Sequence, residues 1–130
     1  KIGKLFCCNG LIINLGDSGQ CFIGDDCMIS NEIEISTTDN HTIFDKINKK
    51  IINKQKRPLI IGNHCWIGRH VRILKNAQIP NNTIIGMSSI VTKKFEEENT
   101  IIAGYPAKVI KHNVEWDGAP ICSFEESMKL

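Results

Sequence analysis

Aliphatic residues recur along this chain at an interval of six. Ile23, Ile29 and Ile35 hold the period, and Ile61, Ile67, Ile73, Ile79, Ile85 and Val91 hold it again without a miss. Carried backwards, it lands on Leu11 and Leu5, with Asp17 the one failure. A helix would space its apolar residues by three and four, and a half-buried strand by two. A sustained six predicts short strands that turn a corner every hexad, each showing its aliphatic to a common axis. Four residues after the aliphatic comes a second, smaller side chain, among them Cys21, Cys27, Cys65, Ala77 and Ser89, which is expected to point inward as well. The intervening pairs Asp25-Asp26, Asn31-Glu32, Lys75-Asn76 and Asn81-Asn82 are turn formers suited to the corners.

The period fails where position 41 should be aliphatic and holds His41 instead, and it does not resume until Ile61. The segment 41–60 is therefore expected to leave the solenoid as an extruded loop. It carries Lys46, Lys49, Lys50, Lys54, Lys56 and Arg57 against one acid, Asp45, which fits a solvated surface loop or a binding surface. His41 sits at the departure point between two carboxylates, Asp39 and Asp45. A histidine beside a carboxylate is what a general base near neutral pH requires. Either acid can equally cap a turn.

Composition narrows the picture. With 130 residues, 42% of them hydrophobic, the chain is long enough for one domain with a real core. A net charge of +2 excludes a strongly basic nucleic-acid binder. No apolar run approaches the ~18 residues a membrane span needs, so no membrane span is expected. Six cysteines without a C-x-x-C pair argue against a zinc knuckle and are read as reduced thiols of a cytoplasmic protein. The chain opens on Lys1 without Met, which raises the expectation of a longer protein whose preceding segment caps the first coil.

Four segments in order carry a resemblance. They are Asp39-Asn40-His41-Thr42-Ile43-Phe44-Asp45, Arg57 through Gly68, Ile85 through Lys93, and Ala103-Gly104-Tyr105-Pro106-Ala107-Lys108. Together with the hexads they resemble the hexapeptide-repeat acyltransferases, in particular the bacterial sugar and capsular-polysaccharide O-acetyltransferases. The resemblance implies a left-handed parallel β-helix over residues 1–111, with three hexads to a triangular coil and about four coils, starting near Leu5, Ile23, Ile61 and Ile79. Residues 112–130 are then a C-terminal tail with no assigned role.

The same resemblance implies acetyl-CoA as donor, a sugar or polysaccharide hydroxyl as acceptor, no metal, and a homotrimer with sites between subunits. It places His41 as general base, with Asp39 or Asp45 orienting it and Asn40 on the acceptor side. Trp66 ends a hexad and is expected to face outward, where the family uses it to wall the cleft against acetyl-pantetheine or sugar. Arg69, Met87, Ser88, Thr92, Lys93 and Lys108 match the coenzyme-binding positions, although the family prefers smaller residues at 69, 87 and 88. Each lysine is as readily a solvated surface residue as a phosphate ligand. Two other activities suit the same fold. N-acetylation of a nucleotide-linked amino sugar needs the same base, and a zinc hydratase needs three histidines. His64 and His70 are expected on adjacent faces and so cannot share an ion within one chain.

Overall fold

The computed structural model describes residues 1–16 and 18–129; Asp17, the gap in the hexad pattern, lies outside the described residues, as does Leu130. Thirteen short strands and one helix follow in order. The first coil holds β1 (Cys7–Cys8), β2 (Leu11–Asn14) and β3 (Cys21–Ile23). The second holds β4 (Met28–Ile29), β5 (Ile33–Ser36) and, beyond the extruded arm, β6 (Leu59–Ile61). The third holds β7 (Trp66–Ile67), β8 (Arg72–Leu74) and β9 (Gln78–Ile79). β10 (Thr83–Ile85) and β11 (Ile90–Val91) begin the fourth, and β12 (Thr100–Gly104), β13 (Ala107–Lys111) and α1 (Ile121–Met128) close the chain.

Stacking builds three parallel sheets. β1, β4, β7, β10 and β12 form the first face, with β13 added antiparallel at its end; β2, β5, β8 and β11 form the second, and β3, β6 and β9 the third. Register turns the hexad into columns. Ile29, Ile67, Ile85 and Ile102 stand over one another, as do Ile35, Ile73 and Val91, and Ile23, Ile61 and Ile79. All of these side chains are buried. Each removes apolar area worth roughly 1.5–3 kcal/mol from water, which is why strands of two to five residues hold together.

The second inward slot is filled as expected. Cys27, Cys65, Thr83 and Thr100 are buried on the first face. Their small donors serve corner carbonyls that no strand satisfies: Cys65 Sγ donates to Pro80 O at 3.3 Å and Thr83 Oγ1 to the same oxygen at 2.9 Å. Corners follow a rule too. Asp26, Glu32, His64, His70, Asn76, Asn82, Ser88 and Asn99 all have positive φ, between 52° and 70°. Short polar side chains tolerate that left-handed turn better than others. Gly62 is glycine for a separate reason: a Cβ there would lie 2.6 Å from the Asn81 amide nitrogen of the coil above.

The first coil departs from expectation. Leu5 is 82% exposed with φ 54°, and the residues under Ile23, Ile29 and Ile35 are Ile2, Cys8 and Ile13. Leu11 pairs with Ile33, in the small-residue slot. The coil is out of phase because Ile13 and Ile23 stand ten positions apart, where the matching pair of the third coil, Ile73 and Ile79, stand six apart. At the opposite end, the β12–β13 hairpin turns through Tyr105 and Pro106 and terminates the parallel stack.

Candidate active site

The chain leaves the second coil at the corner after β5. Ser36 Oγ donates to Thr38 O at 2.7 Å, Thr37 Oγ1 donates to Leu15 O, and Asn40 takes a left-handed φ of 62° that throws the backbone outward. His41 is the next residue. The arm then runs out and back as a small hairpin, Phe44 bridging Ile51 in antiparallel fashion. Asn53 ties its root: Nδ2 donates to Asp39 Oδ2 and to the His41 carbonyl, both at 2.8 Å, and Oδ1 accepts the Ile43 amide at 2.8 Å. Gln55 exchanges two hydrogen bonds with the Gln20 backbone, at 3.1 and 3.2 Å, anchoring the returning strand to the first coil.

Between this root and the β2–β3 connection lies a cleft of about 400 Å³ lined by Thr37, Asp39, Asn40, His41, Asn53 and Lys54, among others. His41 is exposed to it. Among the described residues no hydrogen bond reaches its imidazole ring. Asp39 points elsewhere. Lys75 Nζ, from the same corner one coil on, lies 2.6 Å from both its oxygens. Those bonds, with that from Asn53, hold the Asp39 carboxyl below the usual carboxylate range. Asp45 is committed to the arm, where Oδ1 accepts the Ile47 and Asn48 amides at 2.8 and 2.9 Å. Asn40 Oδ1 accepts from Asn14 Nδ2 at 3.3 Å, at the lip of the cleft.

The other expected site residues fall in four separate places. Thr92 and Lys93 follow β11 and share the corner of Asp39 and Lys75, with Lys93 Nζ 5.1 Å from the Phe95 ring centre. Arg69, Met87 and Ser88 stack at the preceding corner, where the Ser88 amide donates to Arg69 O at 2.8 Å and Met87 is 68% exposed. Trp66 stands on the first face between Met28 and Ile84, and it is 39% exposed. Lys108 lies exposed on β13 beside Ala103. One chain therefore does not gather His41, Trp66 and the Arg69 corner into one pocket. His64 and His70 are each taken up by a carboxylate at different corners, Asp26 at 2.6 Å and Glu32 at 2.7 Å.

Against known proteins, no family model matches the chain. A polysialic acid O-acetyltransferase of Neisseria meningitidis is 45% identical over 104 residues, which is 80% of this chain and 48% of that protein. A solved polysialic acid O-acetyltransferase superposes on 99% of this chain and 62% of its own, with a TM-score of 0.90 and 37% identity. The chain belongs to the hexapeptide-repeat acyltransferases. Its coils accordingly wind left-handed. A galactoside acetyltransferase solved with coenzyme A covers 86% of this hexapeptide-repeat chain and 54% of its own length, with a TM-score of 0.70 and 33% identity. The chain spans from about a third to about half of the length of the curated polysialic acid O-acetyltransferases it matches.

Three residues of the region were not anticipated. Lys75 was available to foresight, since projecting the hexads stacks its corner on that of Asp39. Asn53 carries no such signal, because a polar residue in an irregular arm has no period. Trp116, in the tail, is the third. Its indole lies 6.1 Å from that of Trp66, centre to centre.

Proposed function

We propose that this chain carries the transfer site of a sugar O-acetyltransferase, moving the acetyl group of acetyl-CoA to a hydroxyl of a bacterial surface polysaccharide or sialic-acid polymer in the cytoplasm. The observation that supports it most is His41, exposed and hydrogen-bonded through its ring by none of the described residues, lining a cleft at the root of a cationic arm. His41 takes the acceptor proton as the hydroxyl oxygen attacks the thioester carbonyl. The C–S bond then breaks, and the imidazolium returns the proton to the departing sulfur, releasing the coenzyme thiol. A backbone amide is the expected oxyanion donor. Asp39, kept anionic by Lys75 and tied through Asn53 to the His41 backbone, fixes the segment that presents the base.

A homotrimer accounts for the separation of the site residues. The cleft at one chain's His41 corner is completed by Trp66 and the Arg69, Met87 and Ser88 corner of a second copy, with Thr92, Lys93 and Lys108 available to the coenzyme's phosphates. The arm supports an anionic acceptor: its six cations are exposed, and among the described residues none is ion-paired.

The test is thiol release from acetyl-CoA with the full-length protein and His41→Ala, against free and polymeric sialic acids and neutral hexoses. The expected result is release that depends on a hydroxyl acceptor and falls about 10²–10⁴-fold in His41→Ala. Turnover only with a nucleotide-linked amine would replace the reading by N-acetylation, and undiminished release in the variant would remove His41 from its role.

A further inference from the structure

The C-terminal tail runs back down the outside of the stack, along the corners that follow the third face. Val114 N donates to Asn99 O at 3.0 Å and His112 Nδ1 lies 2.6 Å from Glu97 Oε2, so the upper tail is anchored at the last coil. Two levels further down, Trp116 is built into a separate contact. Its indole stacks on the His64 imidazole, with ring centres 4.2 Å apart and planes at 11°. Its Nε1–H donates to His64 O at 2.8 Å, and its own carbonyl lies 3.1 Å from His64 Nε2.

His64 Nδ1 meets the Asp26 carboxylate at 2.6 Å. Both ring nitrogens therefore face groups that only accept, and the arrangement is complete when both carry protons. An imidazolium under an indole adds a cation–π attraction to the hydrogen bonds. Trp116 is thus fixed by three ties that the upper tail does not need.

What this fixed ring touches is Trp66, at 6.1 Å and a tilt of 46°, within the range of edge-to-face aromatic pairs. Trp66 projects from a two-residue strand, and its half-exposed indole otherwise has rotamers to lose when a ligand arrives. Ordering a side chain in advance removes that cost from binding.

We propose that Trp116 is a positioning residue for Trp66: the tail fixes the indole that walls the transfer cleft, and Asp26 and His64 are its support. The kinetic part of this inference rests on the acetyltransferase reading; the restraint itself does not.

The chain has two tryptophans, so any substitution of Trp116 leaves Trp66 as the sole reporter. Time-resolved fluorescence anisotropy of the full chain is compared between Trp116→Phe, which keeps a ring at the contact, and Trp116→Ala. Trp116→Leu takes the place of the alanine variant if the latter does not fold. The fast local motion of Trp66 is expected to be about threefold larger in amplitude without the ring, with the thermal midpoint of the β-helix little changed.

In kinetics, KM for the acceptor is expected to rise about tenfold in Trp116→Ala with kcat held within about twofold, and Trp116→Phe to recover most of the loss. Equal anisotropy in the phenylalanine and alanine variants overturns the proposal, as does an unchanged KM in an active Trp116→Ala. If the wild-type protein transfers no acetyl group at all, the functional reading fails by itself, and the anisotropy still decides whether Trp116 restrains Trp66.

Discussion

A single residue in this site does its work through what holds its neighbours. Lys75 is the clearest instance, since it keeps Asp39 ionised from the coil above. In Lys75→Met the Asp39 carboxyl titrates at a higher pH than in the wild type, read by NMR of the side-chain carboxyl. A depressed carboxylate contributes stability that is present above its ordinary value and lost as pH falls through the lowered one. The pair is partly exposed, so that contribution is no more than about 0.5 kcal/mol.

His64 has the opposite sign. Partial burial opposes its charge, yet the Asp26 carboxylate and the Trp116 carbonyl outweigh that and hold its pKa above 6.5. Its contribution is complete below the ordinary imidazole value and lost as pH rises through the raised one. The thermal midpoint of the wild type is therefore expected to fall as pH increases from 6.5 upward, and His64→Gln to flatten that slope. His41 was legible because a break in period marked it. Trp116 was visible in the sequence, but nothing there told which coil it would reach.

At the scale of the element, the hexad is an arrangement of columns, and its positions are unequal. Ile73 is fully buried between Ile35 and Val91, whereas Leu5 is a surface residue. Ile73→Ala is expected to cost about 2–5 kcal/mol in chemical denaturation, and Leu5→Ala less than about 0.5 kcal/mol. The contrast tests the corrected phase of the first coil, because the unbroken hexad treats the two positions alike.

The three columns could be read from spacing alone, since every strand from Ile23 to Ile35 and from Ile61 to Val91 keeps the same length of turn. The first coil could not, for a period is a local property, and Leu11 and Leu5 continue it past the gap at Asp17 although the chain there is out of phase. Helix α1 left only a short trace: over its eight residues Ile121, Phe124 and Met128 make an apolar side of two turns, and none of its residues is buried.

For the molecule as a whole, charge is unevenly placed. The arm segment holds six cations and one acid, which leaves ten cations against thirteen acids in the rest of the chain. A net charge of +2 thus hides a positive arm on a negative body. KM for a polyanionic acceptor is expected to rise severalfold between about 50 and 300 mM salt as screening shortens the arm's reach. KM for a neutral sugar should not move. Reversing Lys46, Lys49 and Lys50 to Glu, none of which lines the His41 cleft, should abolish the salt dependence.

The cysteines grade the whole molecule by depth. Cys7 and Cys122 are exposed, Cys8 is half-covered, and Cys21, Cys27 and Cys65 are sealed in successive coils. Burial raises the Cys21 thiol, and the Cys27 thiol together with burial raises that of Cys65. An alkylating reagent added to the native protein will therefore label in instalments. The surface thiols react at once and each sealed one only when its own coil parts, so the masses gathered over time recount the order in which the solenoid comes undone.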